Sequence, residues 1–292
     1  MYGTVVRRGY SRSKKAFTIM PTTIDINNRH SRDDLVTFVE KTHTYSIMGS
    51  SEGVKSITTL LSGFFSEFNP DKVLDMYYDR WQQNKYKKPE YYGKSKEEIK
   101  QKWKNDGENA SKKGTDLHTA IEGYYLNNEF DYDTSCTEWE YFIAFQNEQN
   151  LKPHRIEWRI WSSEHKLAGT IDMLVKNDDG TFSIYDWKRS KHTISKNERH
   201  WNRYGKGPLS CVRDIEYYKY AMQLNLYRSL LEDYYNYKVS SMYTVRLHPD
   251  AKSFELVQME IMEVETKGVL NTRLREVTSD TKIIDDLRGL TL

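Results

Sequence analysis

Apolar positions in this chain follow two periods. Between Arg155 and Lys191 they alternate or run together in stretches rich in β-branched and aromatic residues: Glu157-Trp-Arg-Ile-Trp161, Gly169-Thr-Ile-Asp172 and Ser183-Ile-Tyr-Asp186-Trp-Lys188. Asn177-Asp-Asp-Gly-Thr181 interrupts them with turn residues, so the second and third stretches read as arms of a β-hairpin. Elsewhere the apolar step is three and four. Ile57, Leu60, Leu61, Phe64 and Phe65 predict one helix. Asn69-Pro70-Asp71 caps a second, whose apolar face is Val73, Leu74, Tyr77, Tyr78 and Trp81. Ser95-Lys-Glu-Glu98 is a capping box for a third, which Gly107 is expected to interrupt before a fourth begins around His118. A helix with Trp139, Phe142, Ile143 and Phe145 precedes the strands, and one from Asp214 to Tyr235 follows them. Strands Val239–Leu247 and Phe254–Met262, joined by a turn at His248–Ala251, then a helix Val264–Val277 and a frayed tail complete the pattern. Near the start, His43–Met48 alternates like a strand and runs into a turn through Gly53.

The hairpin arms carry Asp172 and Asp186, and the turn decides whether these meet. A two-residue Asp179-Gly180 loop puts the two acids on opposite faces. A three-residue loop, with Gly180 left-handed in a bulge, pairs Asn177 with Thr181 and Asp172 with Asp186. In that register Lys188, Leu174, Ile184 and Phe182 share the acids' face, and Met173, Val175, Tyr185 and Trp187 the other. Both faces are then apolar except at one end, so the sheet is expected to be covered on both sides.

Two carboxylates about 4 Å apart repel by roughly 4 kcal/mol at an effective dielectric of 20. A proton on one acid, the Lys188 ammonium or a bridging divalent cation would each offset that. Two helical pairs add polar groups at four-residue spacing: His118 with Glu122, and Gln223 with Tyr227.

Taken together in this order, Gly114 to His118, Gly169 to Asp172, Asp186 to Lys188 and Gln223 to Tyr227 resemble the RecB-like exonuclease branch of the PD-(D/E)XK nuclease superfamily, which includes mitochondrial, viral and phage exonucleases. The likeness spans roughly residues 110 to 250, and Ile171 stands where other branches carry proline. It implies an α/β fold with a central mixed sheet flanked by helices and an N-terminal helical extension. It also implies roles. His118, Asp172, Asp186 and the carbonyl of Trp187 would hold Mg²⁺ or Mn²⁺. Lys188 would orient water and stabilise the phosphate, while Gln223 and Tyr227 would position the phosphodiester or the lysine. Glu122 and Glu157 are expected further out.

Charge completes the picture. The formal net charge of the 292 residues is only +2, but it is unevenly spread. From Arg80 to Lys113 there are eleven Lys or Arg against five Asp or Glu, interleaved with Tyr86, Tyr91, Tyr92 and Trp103, which suits a single DNA strand. Residues 188 to 206 hold seven basic residues against Glu198. Lys112, Lys113, Arg189, Lys191, Arg203 and Lys206 are the expected nucleic-acid contacts. The two cysteines, Cys136 and Cys211, fit no metal spacing, exclude a four-cysteine iron–sulfur cluster and point to a reduced, intracellular setting. No apolar run reaches the roughly 18 residues of a membrane span.

The basic start suits either a transit peptide or a flexible arm, and the arm is the reading adopted. The expected organisation is an arm at 1–30, a helical extension with a short β-hairpin at 31–107 that forms a strand-enclosing arch, a nuclease core at 108–263 and a C-terminal helix and tail at 264–292. The expected activity is metal-dependent DNA hydrolysis, most simply by an exonuclease on single strands or ends. A non-catalytic DNA-binding module, or an endonuclease on DNA or RNA, is the alternative.

Overall fold

The computed structural model describes residues 23–126, 130–198 and 203–289. Thr23–Asn27 is a short helix, α1. Val36–Val39 (β1) and Thr44–Ile47 (β2) form a separate antiparallel hairpin. Lys55–Ser56 (β3) leads into helix Ile57–Ser62 (α2), where the Ser56 hydroxyl accepts the Thr59 amide. Helix Pro70–Gln83 (α3) opens as expected, with the Asn69 side chain accepting the Lys72 amide at 3.0 Å. Ser95 and Glu98 then exchange reciprocal bonds of 2.7 and 3.1 Å at the start of Lys96–Leu126 (α4).

Helix α4 is one element of 31 residues, which corrects the expected break at Gly107. A helical glycine costs about 1 kcal/mol relative to alanine. Three exposed i,i+4 ion pairs lie near it, Lys102 with Asp106, Lys104 with Glu108 and Lys112 with Asp116, and add little to the helix. Both ends are also held. Ile99 is buried against α3 with Leu74 and Trp81, while Leu117, Ala120 and Ile121 are buried on the sheet.

Helix Thr137–Gln149 (α5) precedes strands Pro153–Ser162 (β4), Leu167–Lys176 (β5) and Phe182–Lys188 (β6). Helix Glu216–Tyr234 (α6) crosses over to Val239–Arg246 (β7), and Glu255–Gln258 (β8) and helix Glu263–Gly289 (α7) finish the described chain. β8 is shorter than expected because amides beyond it turn to side chains of α6: Glu260 donates to the Tyr217 hydroxyl and Met262 to Asn225 Oδ1. α7 continues past Val277, since no proline interrupts it.

The sheet is mixed, with order β3-β5-β6-β7-β8 and β4 on the other edge of β5. β3 and β7 run parallel to their neighbours β5 and β6, and the remaining pairs are antiparallel. Helices α2, α6 and α7 cover one face and α4 and α5 the other, giving the expected layered α/β architecture. Among the described residues no helix is long and apolar enough to cross a membrane. Residues 23 to 35 lie against β4, where Asp33 accepts Arg155 Nη1 at 2.9 Å and Trp158 Nε1 at 2.8 Å. The rest of the expected basic arm lies outside the described residues.

The β5–β6 hairpin takes the three-residue loop. Met173 pairs with Tyr185 and Leu174 with Ile184, Asn177 donates to the Thr181 carbonyl at 2.8 Å, and Gly180 has φ +82°. Leu174, Phe182 and Ile184 pack into one core and Met173, Val175, Tyr185 and Trp187 into the other, as the alternation requires.

Two departures from regularity open the sheet. The first is a gap along β5. Its edge facing β6 pairs with β6 from 173 to 176 and with β3 at 167 and 168, which leaves 169 to 172 without a strand partner on that edge. The second is a matched slip in phase. Ile156 and Trp158 are two apart yet pack into opposite cores, Ile171 and Leu174 are three apart yet share one, and between them Glu157 takes φ +45°. Gly169 sits at the gap with the Tyr227 ring across it, so a β-carbon there would stand 2.6 Å from Tyr227 Cε1.

Two substitutions test this geometry by denaturant unfolding. Gly180→Ala is expected to cost about 1 to 2 kcal/mol, the cost of a left-handed alanine, and full retention of stability would refute the bulged turn. Gly169→Ala is expected to cost about 1 to 3 kcal/mol through overpacking against Tyr227, and a neutral result would mean that the ring does not lie there.

Candidate active site

The pairings on either side place Glu157 of β4 opposite Asp172 of β5, and Asp172 opposite Asp186 of β6. Three acids therefore stand in a row across three strands, at the point where the ladders are irregular. Each has its own partners. Asp172, 9% exposed, accepts the backbone amide of Trp187 at 2.8 Å. Asp186, 1% exposed, has Lys188 Nζ at 2.8 Å, and Gln223 Nε2 donates to its Oδ1 at 3.3 Å. The ammonium stands 2.8 Å from both carboxylate oxygens, so the charge of Asp186 is met by Lys188 on each.

His118 reaches this row from α4. Its Nε2 donates to the Trp187 carbonyl at 2.9 Å, which leaves Nδ1 facing Asp172 Oδ2 at 3.5 Å and Glu157 Oε1 at 3.8 Å. A neutral imidazole protonated on Nε2 would aim its Nδ1 lone pair at two carboxylates, so a proton or a cation belongs between them. Burial alone would lower the pKa of His118, but Asp172 and Glu157 outweigh it and raise the value to about 9.

One donor atom each from His118, Glu157 and Asp172 lies within 4.8 Å of the others. Donors about 2.1 Å from an octahedral ion sit roughly 3 to 4.2 Å apart, so small adjustments would seat a divalent cation. Two carboxylates and an imidazole suit Mg²⁺, Mn²⁺ or a similar ion. A metal-bound histidine commonly donates its other N–H to a backbone carbonyl, and Trp187 offers one.

This geometry redistributes the expected roles. The Trp187 carbonyl, expected at the metal, instead holds His118. Asp186, expected as the second metal carboxylate, lies outside the three-donor group, and Glu157, expected further out, lies inside it. No sequence signal announces Glu157, because its left-handed backbone breaks the alternation from which its face would be read. Glu122 is half-buried one turn beyond His118 and is not among the three donors.

Lys188 remains central. Burial disfavours its charge, yet Asp186 and Asp172 raise its pKa, so it is an ammonium. Burial also raises the pKa of Asp186, with Lys188 opposing and Asp172 adding to the shift. The Lys188 Nζ lies 5.2 Å over the Tyr220 ring. Gln223 donates to the Tyr227 hydroxyl at 3.1 Å as well as to Asp186, so the two α6 residues hold the acid that holds the lysine.

The expected nucleic-acid contacts divide. Arg189 is half of a buried ion pair, with both Nε and Nη2 at 2.8 Å from Glu138 Oε1, and so is not a free cation. Lys112 pairs with Asp116 on the surface. Lys113, Lys191, Arg203 and Lys206 are exposed. The loop after β6 is fastened at its start, where Arg246 donates to the carbonyls of Ser190 and Lys191; residues 199–202 lie outside the described residues. Among the interleaved aromatics of the extension, Tyr91 and Trp103 bond to each other at 2.9 Å inside a small core with Trp81, whereas Tyr86 is 84% and Tyr92 47% exposed.

Comparison with known proteins gives a broad family match and a faint structural likeness. No curated protein matches the chain. A solved structure described as the crystal structure of SSO0001 is 14% identical over 78% of each chain, with a TM-score of 0.32, which carries no argument. The family model described as the PD-(D/E)XK nuclease superfamily matches residues 72–288, a span that contains His118, Glu157, Asp172, Asp186, Lys188, Gln223 and Tyr227. With that model covering most of the sequence and the layered α/β sheet agreeing with it, the chain belongs to the PD-(D/E)XK nuclease superfamily.

Proposed function

We propose that the protein is a metal-dependent deoxyribonuclease of the RecB-like branch, acting as an exonuclease on single-stranded DNA or DNA ends. The observation that carries this reading is the three-donor group of His118, Glu157 and Asp172 beside the buried Lys188–Asp186 pair. A pure binding module gains nothing from a row of acids that repels phosphate.

His118, Glu157 and Asp172 would hold Mg²⁺ or Mn²⁺, beside the buried Asp186 whose Oδ2 lies 2.8 Å from Lys188 Nζ. A cation held there would supply Lewis acidity toward the phosphate and toward water. The chain's own groups do the rest. Asp186 holds the Lys188 ammonium in place, and the ammonium stabilises negative charge that grows on the phosphate as the bond to the leaving oxygen breaks. Gln223 fixes Asp186, and the Tyr227 ring over Gly169 fixes Gln223. The imidazole of His118 is kept in one orientation by the Trp187 carbonyl.

The preference for single strands rests on the extension. Exposed Tyr86 and Tyr92 offer faces on which unpaired bases stack. Lys85 lies 5.2 Å over the Tyr86 ring, and Lys87 is exposed beside it, so charge for the phosphates accompanies the aromatic face.

Three experiments test the reading. End-labelled single-stranded, duplex and closed circular DNA incubated with Mg²⁺, Mn²⁺ or EDTA should show short products from the open substrates, an intact circle and no reaction in EDTA. Nicking of the circle would make the enzyme an endonuclease, and no cleavage of any substrate would end the nuclease reading. Lys188→Ala and Asp186→Asn should each lower the cleavage rate by about 10²- to 10³-fold while DNA binding persists. Mn²⁺ at a hundredfold over its dissociation constant should stabilise the wild type by about 2.7 kcal/mol. That thermal shift should disappear in Asp172→Asn, and a shift of equal size in the variant would remove Asp172 from the metal.

A further inference from the structure

The β1–β2 hairpin lies before residue 72, outside the span matched by the nuclease family, yet it reaches the acid row. Tyr45 of β2 is 9% exposed, with its ring against Phe38 at 4.4 Å, and its hydroxyl stands 2.8 Å from Thr170 Oγ1. Thr170 is in the stretch of β5 without a partner on the β6 edge, two residues before Asp172, and on the other edge it pairs with Arg159 of β4. Arg159 thus pairs across the strands with the residue whose side chain the Tyr45 hydroxyl contacts, and Glu157 and Asp172 stand two residues along from Arg159 and Thr170 on their strands.

Arg159 is the exception on this part of β4. Trp158 and Ile160 on either side of it are buried, whereas Arg159 is exposed and has no carboxylate within ion-pair distance among the described residues. The hydroxyl pair is also incompletely used. Two O–H groups share one hydrogen in their mutual bond, so one hydrogen remains to donate elsewhere. Lys188 cannot supply this side of the site with free charge, because Asp186 holds it.

We propose that Arg159 and the Tyr45–Thr170 hydroxyl pair form a phosphate subsite that holds a backbone phosphate of the nucleic acid next to the one at the metal. This rests on the nuclease reading of the site and assigns substrate positioning to an element upstream of the nuclease core. A guanidinium and a neutral donor give the strand an attractive foothold beside three carboxylates that otherwise repel it. Arg159 and Tyr45 are positioning residues here, and Thr170 orients the tyrosine.

The test measures binding of a fluorescent 20-nucleotide oligothymidylate across a salt series in EDTA, so that it does not depend on cleavage. Arg159→Ala should weaken binding about tenfold at low salt and reduce the slope of log affinity against log salt by about 1. Arg159→Lys should restore the slope. Tyr45→Phe keeps the ring and should weaken binding about three- to fivefold with the slope unchanged. Equal losses on 5′-phosphorylated and 5′-hydroxyl strands would identify an internal phosphodiester, a loss confined to the phosphorylated strand would identify a terminal phosphate, and both support the subsite. An unchanged slope in Arg159→Ala, or no binding by the wild type, overturns it. A wild type that binds but never cleaves overturns the nuclease reading alone, because the slope still decides the subsite.

Discussion

Crowded negative charge is the constraint to which the rest of this structure answers. Glu157, Asp172 and Asp186 stand in neighbouring strands, and the latter two are buried. Formally they bring −3, and the Lys188 ammonium returns +1. The remaining −2 is what a divalent cation would cancel, while a proton on His118 cancels half of it. At an effective dielectric of 20, each pair of carboxylates about 4 Å apart costs roughly 4 kcal/mol. A marginally stable domain cannot carry such a sum without counter-charge. The Trp187 amide on Asp172, the lysine on Asp186 and the imidazole facing Asp172 and Glu157 are each placed to supply it.

Gathering those groups requires the sheet to be irregular where it is most needed. A perfect ladder through 157, 172 and 186 would commit the backbone to its neighbours and keep the strands side by side. Instead β6 leaves β5 after Met173 and Tyr185, and the Asp172 side chain takes the Trp187 amide. Glu157 accepts a left-handed conformation, a strain of order 1 to 3 kcal/mol for a residue with a β-carbon. Regular pairing on both sides of the defect, at Arg155 and Ile156 and from Trp158 on to Ser162, confines it to one residue, and a separate bulge lies between Pro153 and Arg155.

Much of this was legible in the sequence where local chemistry dictates local structure. Asn177-Asp-Asp-Gly-Thr181 narrows the hairpin to two loops, and the structure takes the bulged one with Gly180 at φ +82°, whose register brings Asp172 towards Asp186. Asn69 and the Ser95–Glu98 box mark their helix starts because each satisfies specific unpaired amides. What escaped depended on distant partners. Gly107 reads as a break, but both ends of α4 are packed and the helix runs through. Arg189 reads as a cation for DNA until α5 brings Glu138 against it. Tyr91 and Trp103 read like stacking platforms and prove to face one another. Glu157 was named only as an outlying acid, since its position follows from a backbone conformation that no residue type announces.

The division of α4 bears on how the extension and the site act together. At about 1.5 Å per residue its 31 residues span roughly 46 Å. One end packs with α3 around Ile99, the other carries Leu117, Ala120 and Ile121 onto the sheet, and residues 104 to 113 between them are exposed. With little packed against that middle, the bearing of the extension depends on the stiffness of a single helix. His118 lies one residue beyond Leu117, where the helix becomes buried again after its exposed middle, so its imidazole is held by the sheet side and by the Trp187 carbonyl. His118 thus belongs to the packed part of a helix whose exposed part carries the basic and aromatic surface outward. A substrate gripped by that surface can flex the exposed segment without disturbing the imidazole, because the interactions that orient His118 all lie on the anchored side.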